Sequence, residues 1–101
     1  MNEYKEIIAA LDQERFEIIA SIVELWKRME RMPLAEQVKL DLDRNNKRYR
    51  LDSIESGFKV LERHGFCTPM GQFTGRRQST DKGREFFRHF LDKFARTRRV
   101  S

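Results

Sequence analysis

The residues with the strongest claim to chemistry are basic and fall into three short runs. RNNKRYR holds Arg44, Lys47, Arg48 and Arg50 with no acid among them. GQFTGRRQ sets Arg76 and Arg77 beside Gly71 and Gly75. Between these runs, Ser53, Ser56, Lys59 and Arg63 recur at helical spacing. Guanidinium and ammonium groups neutralise phosphate oxygens, and on a helix they also reach the acceptor edges of guanine; a serine hydroxyl bonds to either. The chemistry on offer is recognition of a polyanion.

Other constellations are poorer. His64 and Cys67 lie three apart with His89 distant, and no Cys-x-x-Cys exists, so a structural zinc site lacks a fourth ligand. His64 at a helix end reads as a favourable dipole contact, and Cys67 as a small buried strand residue rather than a redox sensor. The carboxylates are interleaved with bases on polar faces, which gives a general acid/base pair no support. GxSxG, HExxH and a phosphate-binding glycine loop are missing too. The expectation is a protein that is not an enzyme and uses no cofactor.

The distribution of charge agrees with this. Residues 1–32 hold five bases against seven acids, residues 33–65 seven against six, and residues 66–101 nine against three. The net charge of +5 is therefore concentrated toward the C-terminal end, as a one-sided polyanion surface requires. With 101 residues, 39 % of them apolar, one domain with a modest core is expected. No apolar run is long enough for a membrane span, and the acidic start MNEYKEIIAALDQE does not read as a signal peptide. The lone Cys67 points to a reducing, cytoplasmic location.

Several elements must position those bases. Tyr4, Ile7, Ile8 and Leu11 mark one face of a short helix, and Asp12 either caps a second or lets the two run on. From Gln13 to Arg31 two apolar stripes share one helix: Ile18/Ile22/Leu25/Met29/Met32 and Phe16/Ile19/Val23/Trp26. Leu34–Leu42 fits a helix or a strand; helix is favoured because the next element needs a helical neighbour. Asp52 with Glu55 resembles a capping box, Ile54/Phe58/Leu61 form a buried stripe, and Gly65 with Phe66 makes a left-handed stop. The opposite face then carries Asp52, Ser56, Lys59 and Arg63. Phe66–Met70 and Arg76–Ser79 read as short strands, with Pro69 at an edge and Phe73 packing on the hairpin. Thr80 caps a last helix with Phe86, Phe87, Phe90, Leu91 and Phe94 on one side, which frays after Arg96.

FKVLERHGF resembles the end of a recognition helix, and STDKGREFF the exit from a wing, in the winged helix-turn-helix family, particularly small regulators of the MarR and PadR kind. The likeness covers roughly residues 33–90. It implies a mainly α fold with a small β-hairpin and extra N-terminal and C-terminal helices. The parts would be N-terminal helices over 1–32, a helix-turn-helix over 33–65, a wing over 66–80 and a C-terminal helix over 81–96. It further implies that the exposed face before Gly65 reads double-stranded DNA and that the last helix serves dimerisation.

Two apolar stripes plus a phenylalanine-rich helix exceed what one small core should consume. The expectation is therefore a nucleoid-associated homodimer, joined through its N-terminal and C-terminal helices, presenting two recognition helices roughly 34 Å apart. The expected activity is sequence-specific DNA binding in transcription regulation. The rival is a winged-helix protein–protein interaction subunit of a larger complex.

Overall fold

The computed structural model describes residues 3–71 and 75–100, with side chains as far as residue 94. Helix α1 spans Glu3–Ala9, α2 Gln13–Met29, α3 Ala35–Arg44, α4 Leu51–Arg63 and α5 Asp81–Val100. Strands β1 (Cys67–Pro69) and β2 (Arg77–Ser79) form one antiparallel hairpin between α4 and α5. The chain is thus mainly helical with a small two-stranded sheet. No helix among the described residues is long and apolar enough to cross a membrane.

The helix boundaries follow from local chemistry. Asp12 separates α1 from α2 by accepting the Arg15 backbone N–H at 2.8 Å. Helix α2 ends at Met29, two residues before the expected Arg31, with Glu30 capping it at the left-handed φ of 59°. The ambiguous segment is helical, its start secured by Leu34 N–H donating to Gln37 Oε1 at 2.7 Å. At the far end of α4, Gly65 takes φ 77°, with Gly65 N–H on Glu62 C=O (3.0 Å) and Phe66 N–H on Leu61 C=O (2.9 Å). That pair of bonds satisfies carbonyls the helix would otherwise leave open. Thr80 Oγ1 accepts Gly83 N–H at 2.9 Å and donates to Gly65 C=O at 2.7 Å, joining the start of α5 to the end of α4. A side chain at Gly83 would meet the Phe66 carbonyl oxygen at 1.8 Å, so this junction admits only glycine.

Three expectations need correction. The Asp52/Glu55 capping box does not form: the cap lies two residues earlier, at Arg50, with no side-chain cap bond, while Glu55 turns to Arg77. The strands are shorter than expected, at three residues each. Helix α5 runs to Val100, past the Arg96 boundary. Phe73, expected to pack on the hairpin, lies outside the described residues.

Helix α2 is the hub, and its two stripes find separate partners within the chain. Ile18 abuts Gly57 of α4, where an added Cβ would meet it at 2.6 Å. Phe16 packs on Phe90 and Phe94 (ring centroids 5.4 and 5.0 Å), and Trp26 on Phe87 (5.1 Å). Ile18, Ile19, Ile22, Val23, Phe86 and Phe87 are fully buried. The phenylalanine helix therefore consumes the stripe that the sequence left over. Among the described residues only Leu40, Leu51 and Met70 remain as exposed large apolar side chains. The surplus apolar surface that argued for a homodimer is absorbed by the monomer, and that argument for a second copy falls.

Candidate nucleic-acid interface

Helix α4 is held against α2 by the buried Ile54, Gly57, Phe58 and Leu61. This leaves an outer ridge of Asp52, Lys59 and Arg63 in water. Lys59 and Arg63 have no carboxylate partner among the described residues. Ser56, expected on the same ridge, is half-buried; its Oγ accepts Arg15 Nη2 at 3.1 Å. Arg15 thereby ties the start of α2, where it also bonds Asp12, to the middle of α4. Ser53 is half-buried on the flank of α4.

The turn before α4 presents a dense group of positive charges. Asn46, at φ 61°, and Lys47 N–H bonding to Leu42 C=O at 2.8 Å close the chain back on α3. Arg44, Arg48 and Arg50 are exposed; Arg44 and Arg48 have no carboxylate partner among the described residues, and Arg50 sits a loose 3.7 Å from Asp52. Lys47 behaves differently: its Nζ donates to Glu17 on α2, and so does the Tyr49 hydroxyl. Lys39 Nζ adds a bond to Tyr49 C=O at 3.2 Å. Glu17 thus anchors the turn from below. The Lys47 and Tyr49 hydrogen bonds hold its carboxyl below the usual glutamate range. The hydrogen bond to Glu17 pushes the Tyr49 phenol up to about 12.

The hairpin corrects the sharpest site expectation. Arg77 was expected to clamp phosphate, but its side chain is only 10 % exposed. Its Nη2 donates to Glu55 at 2.9 Å, its Nε to Glu62 at 3.3 Å, and its guanidinium lies 4.3 Å from the Phe58 ring centroid. Two carboxylates and an aromatic face outcompete solvent for a delocalised cation. Arg77 is a strut that fixes the hairpin along one flank of α4. Arg76, next to it, is exposed.

The structure therefore brings Arg44, Arg48, Arg50, Lys59, Arg63 and Arg76 to the surface around α4, and draws Lys47, Ser56 and Arg77 into internal bonds. The positioning residues Glu17, Arg15, Glu55 and Glu62 were missed. Glu55 and Glu62 had a readable signal: with Phe58 they share a stripe at spacing three and four, ready for a buried cation. Glu17 had none, since Lys47 and Tyr49 lie thirty or more residues away. Cys67 is a buried strand residue as expected, 1 % exposed, and burial pushes its thiol up to about 12.

No family model, curated protein or solved structure matches this chain.

Proposed function

We propose that this chain is a winged helix-turn-helix protein that binds double-stranded DNA in a sequence-specific manner and acts as a small transcription regulator. In this reading α4 enters the major groove with Lys59 and Arg63 toward base edges. The Asn45–Arg50 turn and Arg76 rest on flanking phosphates. One observation carries it: unpaired Lys59 and Arg63 form a ridge that directly follows an exposed turn whose Arg44 and Arg48 are also unpaired. Cations without internal partners are available to release counterions from a duplex.

The binding unit proposed is a single copy, because the apolar faces expected to join two are occupied. Arg44, Arg48, Arg50, Lys59 and Arg63 supply five bases per copy for phosphates and bases, so the log–log salt slope should be about −4.5. The test is a selection of bound genomic fragments, followed by anisotropy titration of the enriched duplex at several salt concentrations, with molar mass measured on the same sample. Failure to retain any duplex at low salt would sink the reading.

A second reading has its own observation. Helix α4 carries Asp52, Glu55 and Glu62 against Lys59 and Arg63, so its own charge is not basic. A winged-helix subunit gripping a protein would suit that balance. It expects a stable complex on co-purification and no salt-dependent affinity for DNA.

A further inference from the structure

We propose that the outer edge of β2 takes up an extended acidic peptide of a partner protein as a third strand. The hairpin register supplies the first reason. Thr80 N–H donates to Phe66 C=O at 3.1 Å, and Met70 N–H to Arg76 C=O at 2.8 Å. Cys67 pairs with Ser79 and Pro69 with Arg77 at the positions between. Antiparallel ladders alternate, so the N–H and C=O groups of Arg77 and Ser79 point away from β1. Among the described residues none of these groups has a backbone partner; the Ser79 carbonyl accepts only the Arg84 guanidinium, at 3.1 Å. An open edge of this kind is a template for another strand.

The space beside the edge is the second reason. A cleft of about 590 Å³ separates β2 from the Glu30–Leu34 segment that links α2 to α3. Its apolar part is Met32, Leu34 and Met70. Met70 is 48 % exposed, one of only three large apolar side chains left in water among the described residues.

Charge decides the occupant. Arg31, Arg76, Arg77 and Arg84 line the cleft against one carboxylate, Glu30. Arg77 is neutralised by Glu55 and Glu62, and Arg84 leans on Asp81. Arg31 is exposed and has no carboxylate partner among the described residues, so it supplies the main pull on an incoming anion. A strand that alternates acidic and apolar residues meets both demands, with one set of side chains on the methionines and the other toward the arginine rim. The proposal does not rest on the DNA-binding reading, since it uses the edge of β2 and not the ridge of α4; Arg76 alone borders both.

The experiment titrates the full chain against a labelled peptide of about ten residues alternating Asp and Val. Two companions are used: Lys replacing Asp, and the Asp–Val peptide N-methylated throughout. The acidic peptide should bind about tenfold more tightly than either companion, because one lacks the charge and the other the strand hydrogen bonds. Amide exchange at Arg77 and Ser79 should slow on binding. Arg31→Glu, at an exposed position, should weaken the acidic peptide about fivefold while thermal unfolding stays unchanged. Equal binding of the N-methylated peptide, or no binding of the acidic one at millimolar concentration, overturns the proposal. So does a duplex that protects the same two amides and is lost in R31E, which would assign the cleft to phosphate.

Discussion

Arg48, in the turn before α4, stands in water with no carboxylate partner among the described residues, whereas Arg77, in the hairpin after α4, lies over Phe58 between Glu55 and Glu62. Both belong to basic loops, and both looked equally suited to phosphate. The difference lies in what each loop faces. The turn folds back on α3, and of its residues Glu17 engages Lys47 and Tyr49, so the turn's arginines project outward. The hairpin lies against the carboxylate flank of α4, and the nearest cation is drawn in. Local composition thus sets how many positive charges a loop holds. The surface it packs on sets how many are left for a partner.

Substitution can break this contrast. Arg77→Ala leaves two carboxylates facing each other without their cation and should lower stability by about 3 kcal/mol; Arg48→Ala should change it by less than about 0.5 kcal/mol. Urea unfolding of the two variants measures the gap, and equal midpoints would abolish the distinction drawn between the loops. A smaller effect is expected at the anchor. Glu17→Gln weakens two hydrogen bonds and should cost about 1 kcal/mol near neutral pH. Because the folded protein holds Glu17 below its ordinary range, its contribution is present above about pH 4.3 and fades as the pH falls further. The wild-type acid-unfolding curve should therefore be steeper in that window than that of E17Q.

Binding measurements sharpen the contrast further. Arg44→Ala and Arg48→Ala should each weaken duplex affinity about three- to tenfold at ordinary salt and reduce the salt slope by about 0.9. Under conditions where it stays folded, R77A should keep the wild-type slope, as a strut and not a phosphate contact. The smallest change is expected at Asp52→Asn, on the exposed ridge. It removes a carboxylate facing the duplex and should raise affinity about twofold with no shift in unfolding midpoint.

The elements were largely legible and the side-chain allegiances were not. The Gly65 stop, the Thr80 cap and the buried Ile54/Phe58/Leu61 stripe depend on neighbours a few residues away, and each occurs where local chemistry places it. Asp52 failed as a cap because the cap falls two residues earlier, at Arg50, a shift that local preference of a few tenths of a kcal/mol does not decide. Ser56 failed as a contact because Arg15 arrives from forty-one residues away.

Residue order alone settled that the chain is mainly helical, that a short hairpin separates the last two helices, and that its positive charge gathers on the hairpin side. Periodicity and capping are short-range, so they survive without any knowledge of packing. Only the assembled molecule decided that α5 covers the second stripe of α2, which leaves few exposed large apolar side chains among the described residues. It alone decided that Glu55 and Glu62 claim Arg77 while Arg48 stays free. Those outcomes turn on which distant surfaces meet, and burial then makes a cation's nearest carboxylates outweigh water.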